Sequence, residues 1–420
     1  MIRNVVRRLQ TGARRKGDIV RVLMIANNVP WSGAPLDGVF NIAQAHALAQ
    51  RGHETMIVRC VPAAPPVRAK WRRYRSIPDL YQWEGIAVQT VRGVMGPRSY
   101  GIGTLRAQLR ETMRDIAGEF RPDVVHVQGL LPSGLLALDL GIPFVLTAHG
   151  SETYELPWRR AGLERIARSV ASRAARVVGV SNFVAEHMRR LGRPDAEVIF
   201  NGADERYFSP RDRTASRVRL GLPVDRPTIA YVGRVERAKG LLDLARASIS
   251  MRGVRPHLLV AGEGTLVAPL RALLDAHGVG ATWLGALEAA RLGDVYGAAD
   301  IFVSPSYHEG LPATLCEAML VGRAIVATRV GGVPEILTDG CNGFLVNAGD
   351  VAALTERIER LFAQRMIRER FEREAHAFAR EALTWHANVI AYEHLYRAIC
   401  ERGAGCSVRV PAVAGSNASR

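Results

Sequence analysis

The sequence predicts an α/β protein made of two Rossmann-like, doubly wound domains that face a central cleft. The chain has 420 residues, which is more than one ordinary domain holds. Short apolar runs rich in β-branched residues alternate with helical patterns, as is typical of parallel strands buried on both faces. A stretch rich in Pro, Arg and Asp at residues 205–227 interrupts this rhythm, and we interpret it as a linker.

The first domain is predicted to span residues 1–205. Five apolar runs are predicted to be its strands, at residues 21–27, 123–129, 143–150, 176–181 and 197–202. The periodicity of VFNIAQAHALAQRG predicts a helix behind the first strand, because apolar residues recur at three and four positions. Gly52 provides the stop of that helix.

The second domain is predicted to span residues 206–383. Its strands are predicted from runs at residues 228–235, 257–264, 281–287, 301–306 and 324–330. Sheets of this kind bind ligands at the carboxyl ends of their strands, and a cleft between two domains is the default place for a site. The tail, residues 403–420, is predicted to be disordered.

The net charge of +16 is concentrated near the N-terminus. Within residues 1–75, Lys and Arg outnumber Asp and Glu by 14 to 3, notably in RRLQTGARRK and VRAKWRRYR. Such charge can form solvated faces or attract an anionic membrane surface, and Trp71 and Tyr74 between the arginines suit an interface. No recognition-helix, zinc-finger or RNA-binding signature accompanies the charge, so nucleic acid is not expected as a partner.

Cysteine usage and hydropathy indicate the compartment. The five cysteines are scattered without metal-like spacing, which fits a reducing environment. No apolar run approaches the ~20 residues of a membrane helix, and the N-terminus lacks an apolar signal core. The sequence therefore predicts a cytoplasmic protein, with peripheral attachment to the inner face of the membrane as an alternative.

Two glutamates follow the strand predicted from IFVSPS. Glu309 lies in the loop YHEGLP, and Pro312 is well suited to the first turn of a helix that Gly322 ends. Glu317 falls inside that helix and can face the same ligand as Glu309. Free loop amides and the helix dipole favour an anionic or hydroxyl-rich ligand. In the alternative interpretation, Glu309 caps the helix and Glu317 pairs with an arginine.

Two cations follow the first strand of the second domain. Arg234 and Lys239 in YVGRVERAKG can hold a diphosphate and stabilise the charge of a leaving group. An ordinary basic loop is the alternative. The glycine turn AGEG, which follows a predicted strand, is interpreted as structural. The sequence contains no Gly-x-Gly-x-x-Gly fingerprint and no P-loop, which argues against hydride transfer and ATP hydrolysis.

These motifs occur in a recognisable order. GRVERAKG, AGEG and SPSYHEGLPATLCEAMLVGRAIVATRVGGVPEIL together resemble the retaining nucleotide-sugar glycosyltransferases of family 4, which have the GT-B fold. The resemblance covers roughly residues 20–400 and is strongest in the second domain, where motif order and spacing also match. It is specific for the family and not for the substrate.

The resemblance implies a role for each matching residue. Arg234 and Lys239 would bind the donor diphosphate, and Glu309 would contact hydroxyls of the donor sugar. Glu317 would hold the nucleotide ribose. Other residues would line the donor: Gly310, Leu311 and Pro312 through their backbone, Ala313 beside the nucleotide, and Leu287 near the base.

The first domain would contribute residues to the same reaction. Gly38 is expected to allow close approach of a phosphate or acceptor, and His149 resembles a position near the transferred sugar. A satisfied strand-end histidine is the alternative for His149. Asn201 in FNGAD resembles a hinge motif and is interpreted as structural. The final helix, residues 384–402, is expected to return to the first domain.

The resemblance implies transfer of a sugar from a nucleoside diphosphate donor to a glycan or lipid-linked acceptor, in bacterial polysaccharide or glycolipid biosynthesis. We expect no metal and no cofactor, because the sequence has fixed cations and lacks an Asp-x-Asp motif. One rival is a nucleotide-sugar 2-epimerase or phosphorylase of related fold. Another is a non-catalytic basic protein that binds anionic surfaces or nucleic acid.

Overall fold

A computed structural model describes residues 19–63, 74–94, 100–155, 157–159 and 161–402. The basic segment before residue 19, Trp71 and the predicted disordered tail therefore lie outside the described residues. The chain divides into two compact units. The first comprises Met1–Thr147, Pro157–Val177 and Ala391–Arg420, and the second comprises Ala148–Leu156 and Val178–Ile390. The domain limits given by the sequence stay predictions.

The first sheet has eight strands in the order β3-β4-β2-β1-β5-β6-β7-β8. The strands are β1 Arg21–Ala26, β2 Glu54–Pro62, β3 Leu80–Trp83, β4 Ile86–Gly93, β5 Val124–Gln128, β6 Phe144–Ala148, β7 Arg176–Gly179 and β8 Glu197–Val198. β1 pairs in parallel with both β2 and β5, whereas β3 is antiparallel to β4. All five predicted runs of the first domain are strands. Strands β2, β3 and β4 were not predicted from the sequence.

Helices follow most strands of this sheet. They are α1 Val39–Gln50, α2 Tyr100–Phe120, α3 Ser133–Ala137, α4 Ser151–Tyr154, α5 Ala161–Arg173 and α6 Asn182–Arg190. The prediction of α1 is confirmed. Gly38 precedes this helix with φ +67, and Gly52 follows it with φ +98.

The second sheet has six strands in the order β11-β10-β9-β12-β13-β14, and every pairing is parallel. Its strands are β9 Thr228–Val232, β10 His257–Ala261, β11 Ala281–Trp283, β12 Ile301–Ser304, β13 Ala324–Thr328 and β14 Phe344–Val346. The first five were predicted from the sequence, and β14 was missed. Apolar strand residues such as Ile229, Val260 and Val303 form the core of this unit.

Helices precede, connect and follow the strands of the second sheet along the chain. They are α7 Arg213–Arg219, α8 Leu241–Ser250, α9 Val267–Ala276, α10 Ala289–Ala298, α11 Ala313–Leu320, α12 Val333–Ile336, α13 Val351–Ala363 and α14 Arg365–Ala382. The predicted linker contains α7, whose N-cap is Asp212, because the Asp212 carboxylate accepts a hydrogen bond from the Ala215 amide at 2.7 Å.

The last helix, α15 Trp385–Arg402, contributes its residues from 391 onward to the first unit. There the buried Glu393 carboxylate accepts hydrogen bonds from Arg51 and faces His53 Nε2 at 2.9 Å. The Tyr396 hydroxyl lies 2.7 Å from Nδ1 of the buried His126. None of the helices in the described ranges is long and apolar enough to cross a membrane.

Candidate active site

The order of the second sheet defines where a ligand can bind. From β9 the chain moves to β10 on one side of the sheet, and β12 lies against β9 on the other side. At such a switch point the loops after the two central strands turn away from each other and leave a crevice at their carboxyl ends. The loop after β9, residues 233–240, and the loop after β12, residues 305–312, meet at this crevice.

An ion pair joins these two loops. Lys239 Nζ donates to Glu309 Oε1 at 2.6 Å, and their side chains are only 22% and 12% exposed. The Tyr307 amide donates to the Ala238 carbonyl at 2.9 Å, which fixes the loops beside the pair. Both residues were proposed from the sequence, and the structure brings them together. The pair is partly buried, so removing either partner would leave the other with an uncompensated charge.

Arg234 lies on the same loop as Lys239 but differs from it in environment. Its side chain is exposed and forms no ion pair with any residue that the structure describes. Its carbonyl oxygen accepts a hydrogen bond from the Tyr231 hydroxyl at 2.7 Å. Burial raises the pKa of this tyrosine, and the negative charge of Glu309 raises it further. Arg234 thus offers an exposed cation on the same loop as the paired one.

The backbone packs so closely around Glu309 and Gly310 that positions 310 and 331 have no room for a side chain. A Cβ added to Gly331, whose φ is +52, would lie 1.7 Å from the Glu309 carbonyl oxygen. A Cβ on Gly310 would lie 2.1 Å from the His149 carbonyl oxygen. The Gly310 carbonyl accepts hydrogen bonds from the Gly332 amide at 2.9 Å and the Ser181 hydroxyl at 3.0 Å. The loop that carries Glu309 is therefore held in one conformation.

The helix α11 begins beside this loop without a side-chain cap. Pro312 is its N-cap residue and not part of its first turn, because ψ of Pro312 is +116, an extended value. Among the described residues, no acceptor is found for the backbone amides of Gly310, Leu311, Ala313 and Thr314. Free amides at a helix N-terminus bind anions and carry the positive end of the dipole. The alternative in which Glu309 caps this helix is wrong.

Glu317 lies one turn into α11 and has a partner of a different kind. The Tyr296 hydroxyl of α10 donates to Glu317 Oε2 at 2.6 Å, and the arginine partner of the alternative interpretation is absent from the described contacts. Burial raises the pKa of Glu317 to about 7, although the Tyr296 hydrogen bond opposes this shift. The carboxyl group therefore changes charge near neutral pH.

His149 follows β6 and lies against the Glu309 loop through its carbonyl oxygen. Its amide donates to the Glu152 carboxylate, which orients the turn into α4. Burial lowers the pKa of the imidazole, and the charge of Glu152 opposes that shift. The ring is therefore neutral at physiological pH and can accept or donate a hydrogen bond.

The remaining predicted residues have mixed surroundings. Leu311 and Leu287 are buried, Leu287 to 9% exposure, and Ala313 is half-buried at the start of α11. Gly38 belongs to the first unit, where a Cβ would lie 2.2 Å from the Asn28 carbonyl oxygen. Its need for glycine is thus explained by backbone packing, and a ligand role stays a prediction.

Sequence reasoning missed three residues that support the site. Tyr296 holds Glu317, Ser181 holds Gly310, and the Glu335 carboxylate accepts hydrogen bonds from the amides of Asn182 and Phe183 at 2.6 and 2.8 Å. Each partner is remote in sequence, so no fixed spacing could have shown the pairing. The motif GGVPEIL, which is part of the family resemblance, is the only sequence signal at Glu335.

Two doubly wound units are typical of the GT-B fold. A model described as "Glycosyltransferase Family 4" matches residues 38–207, and one described as "Glycosyl transferases group 1" matches residues 212–378. The chain belongs to glycosyltransferase family 4 and is a transferase.

Known proteins agree with this assignment. The chain is 29% identical to a putative teichuronic acid biosynthesis glycosyltransferase of Bacillus subtilis (strain 168), over 81% of this chain and 89% of that protein. Sucrose-phosphate synthase from Thermosynechococcus elongatus has a similar structure, with a TM-score of 0.75 at 22% identity, covering 93% of this chain and all of that one. Anabaena HepE in complex with UDP and glucose has a TM-score of 0.69 at 18% identity, covering 90% of this chain and all of that one.

Proposed function

We propose that this enzyme moves a sugar from a nucleoside diphosphate to an acceptor hydroxyl with retention of anomeric configuration, in bacterial polysaccharide or glycolipid biosynthesis. The observation that carries the proposal is the Lys239–Glu309 pair of 2.6 Å at the switch point of the second sheet. The pair lies beside the free amides of α11. A cation, a carboxylate and free amides within a few residues match a diphosphate joined to a hydroxyl-rich sugar.

Binding of the donor would break the ion pair between Lys239 and Glu309 and give each residue a new partner on the donor. The diphosphate takes Lys239, Arg234 and the α11 amides, and Glu309 then accepts hydrogen bonds from sugar hydroxyls. Glu317, in its ionised form, accepts hydrogen bonds from the ribose. HepE was solved with UDP and glucose, which supports a nucleotide-sugar donor here.

Breaking the anomeric bond places negative charge on the departing diphosphate. Lys239, Arg234 and the helix dipole stabilise that charge in the transition state, and this is the task that a metal performs in other enzymes. In front-face transfer the acceptor oxygen bonds to the anomeric carbon on the side that the phosphate leaves. The phosphate oxygen takes the acceptor's proton, so charge and atoms balance without a covalent enzyme intermediate.

His149 would lie near the transferred sugar. Its carbonyl oxygen packs against Gly310, so the residue is next to the Glu309 loop. The neutral imidazole can donate a hydrogen bond to a sugar hydroxyl without adding a further positive charge to those of Lys239 and Arg234.

A thermal-shift panel of UDP-, GDP- and ADP-sugars identifies the donor, because a ligand of the native state raises the unfolding temperature. NMR of the product then gives its anomeric configuration. We expect one nucleotide class to stabilise the wild type and the Glu374→Gln control, whose carboxylate is exposed on α14. Sugar release that does not depend on an acceptor would favour the epimerase or phosphorylase rival, and an inverted product would contradict retention.

The acceptor proposal is a glycan or a lipid-linked sugar. The relative named for teichuronic acid biosynthesis supports a polymer acceptor. The basic excess of residues 1–75 supports visits to an anionic membrane surface, and a cytoplasmic enzyme would meet lipid-linked acceptors there. Deletion of residues 1–16 together with Arg72→Gln, Arg73→Gln and Arg75→Gln should abolish sedimentation with anionic vesicles. Unchanged sedimentation would refute the proposed attraction to the membrane surface and would leave the proposed sugar transfer untouched.

A further inference from the structure

A tyrosine two residues before Glu309 joins the same two segments as the Lys239–Glu309 ion pair. The Tyr307 hydroxyl donates to Asp243 Oδ2 at 2.7 Å, and the Tyr307 amide donates to the Ala238 carbonyl at 2.9 Å. One residue of the loop after β12 therefore holds the chain on both sides of Lys239. It does so at position 238, in the loop after β9, and at position 243, in α8.

The acceptor of the tyrosine hydroxyl is a buried carboxylate. The Asp243 side chain is 8% exposed and lies in the first turn of α8, where the helix dipole favours a negative charge. Among the described ion pairs, its cationic partner is Arg246 at 4.0 Å, and that side chain is 59% exposed. So distant and exposed a cation contributes little. The Tyr307 hydroxyl is therefore the stronger side-chain contact of this carboxylate.

The hydroxyl keeps its proton at neutral pH and so acts as the donor. Its hydrogen bond to Asp243 raises the pKa of Tyr307, and burial and the charge of Asp243 raise it further. A Cβ added to Gly349 would lie 3.3 Å from this hydroxyl, which therefore lies between α8 and the turn after β14. The residue as a whole is 38% exposed, so the hydroxyl end is its fixed part.

The two segments also approach each other through their backbones. A Cβ added to Gly240, whose φ is +68, would lie 1.8 Å from the Pro305 carbonyl oxygen. Gly240 directly follows Lys239 and begins α8 as its N-cap. A small movement of α8 away from the loop after β12 would therefore move Lys239 as well.

Donor binding makes these contacts more important. Two side-chain links join the segments in the structure, one between Lys239 and Glu309 and one between Asp243 and Tyr307. In the proposed function the donor breaks the first link, and of these two the second remains. Lys239 must then hold its position beside the diphosphate without help from Glu309, and misplacement of such a group by a small distance lowers the rate strongly.

We propose that Tyr307 is a positioning residue for Lys239. Its bonds to Asp243 and Ala238 keep the loop after β9 in place when Glu309 turns to the donor sugar. This inference rests on the proposed function, because it concerns the cation that would bind the diphosphate. It requires no contact between Tyr307 and the donor.

The first test measures nucleotide affinity by calorimetric titration with UDP, GDP and ADP. Tyr307→Phe removes the hydroxyl and keeps the ring, and the nucleotide that the wild type binds best should lose affinity about fivefold or more. The matched control is Tyr207→Phe. Tyr207 is half-buried in the same unit, and its hydroxyl has no hydrogen-bond partner among the described residues. The control should bind within about twofold of the wild type.

A double-mutant cycle shows whether Tyr307 acts through Lys239. In a Lys239→Ala background, Tyr307→Phe should change the affinity by less than about twofold, because the cation that it positions is absent. An equal loss in both backgrounds would show a general effect on the site and would refute the proposal.

Substitutions of the carboxylate test the hydrogen bond itself. Asp243→Asn should keep most of the affinity, because an amide oxygen still accepts a hydrogen bond from the Tyr307 hydroxyl. Asp243→Ala should lose about as much as Tyr307→Phe. A loss in Asp243→Asn as large as in Asp243→Ala would contradict the hydrogen bond as the cause.

Another measurement needs no ligand. Hydrogen exchange at the amides of Lys239, Gly240 and Tyr307 should accelerate in Tyr307→Phe, because these amides bond within the loop after β9 or to it. The acceleration should be larger in a Glu309→Ala background, which lacks the ion pair. Tyr207→Phe should leave exchange at these amides unchanged.

The outcomes separate the two proposals. Absence of binding and of transfer by the wild type with every nucleotide and nucleotide sugar would refute the proposed function. Binding by the wild type together with unchanged affinity in Tyr307→Phe would refute the role of Tyr307 alone.

Discussion

Lys239 and Glu309 satisfy each other's charge across 2.6 Å, so a ligand that takes one must release the other. Their partial burial makes this exchange energetically important, since neither charge is fully solvated when alone. Arg234, exposed and uncommitted among the described residues, can meet a diphosphate first. In the proposed function, the three residues divide the work between recruitment of the donor and its final binding.

Lys239→Ala and Glu309→Gln should each lower kcat/KM by about 100-fold or more, because each removes a contact that acts on charge or hydroxyls in the transition state. Steady-state transfer kinetics measure this effect. Glu374→Gln should retain normal turnover. Near-normal rates in both site variants would refute the assignment of the site.

Glu317 should make donor binding depend on pH. Its pKa of about 7 lies above that of a free glutamate, since burial disfavours the charged form. Because ribose hydroxyls need the carboxylate as acceptor, donor affinity should rise between pH 6 and pH 8. Glu317→Gln should remove this rise. A parallel rise in Glu317→Gln, measured by calorimetric titration, would show that another group titrates.

The same shift has a consequence for stability. The unfolded glutamate loses its proton near pH 4.5 and the folded one near pH 7, so the folded state holds more protons in between. Its contribution is complete below pH 4.5 and is lost as pH rises through 7. Chemical denaturation should therefore show the wild type losing stability relative to Glu317→Gln over this interval. A constant difference would contradict the raised pKa.

At the scale of elements, the active-site loop depends on how closely two backbone segments approach. Gly331 combines a positive φ with a contact that a Cβ would make impossible without movement of Glu309. Four amides where this loop meets α11 have no acceptor among the described residues: those of Gly310, Leu311, Ala313 and Thr314. The same few residues therefore set the position of the Glu309 carboxylate and the position of the α11 N-terminus.

Gly331→Ala should displace the Glu309 loop and lower turnover by about tenfold or more. The matched control is Gly340→Ala, because Gly340 has φ +74 but no atom within 4 Å of an added Cβ. Both variants carry backbone strain, and only the first has the clash. Equal turnover in the two variants would show that the close approach does not matter for catalysis.

Prediction from sequence found ten strands from their apolar runs, but it missed β14, which is apolar and only three residues long, and it missed β2, β3 and β4. Arg59 interrupts the apolar run of β2, and the reason for the arginine is a tertiary contact with the loop at residues 27–38. Glu309 and Lys239 were found because both follow strands directly. The Tyr296–Glu317 hydrogen bond could not be predicted, since it joins two helices through packing alone.

At the scale of the whole molecule, the chain returns to its first unit through α15. Burial alone would raise the pKa of Glu393, but hydrogen bonds from Arg51 and His53 lower it to about 2. The residue is therefore ionised in the folded state at any pH above that value. This buried carboxylate links the end of the chain to the turn after α1.

Glu393→Gln should destabilise the protein by about 2 kcal/mol at pH 7. A depressed pKa contributes stability that is complete above the unfolded value of 4.5 and is lost as pH falls towards 2. The difference between wild type and variant should therefore shrink below pH 4.5. Denaturant melts at several pH values measure it, and a difference that grows at low pH would contradict the argument.

The family assignment gives the fold and the class of reaction, whereas the proposed site rests on the contacts between the loops that follow β9 and β12. Calorimetric titration of the nucleoside diphosphate chosen by the thermal-shift panel tests this argument most directly. We predict that Lys239→Ala weakens binding about tenfold or more, while Glu309→Gln binds as tightly as the wild type or more tightly, because Lys239 is released from its partner. Unchanged affinity in Lys239→Ala, or an equal loss in both variants, would contradict the proposed site.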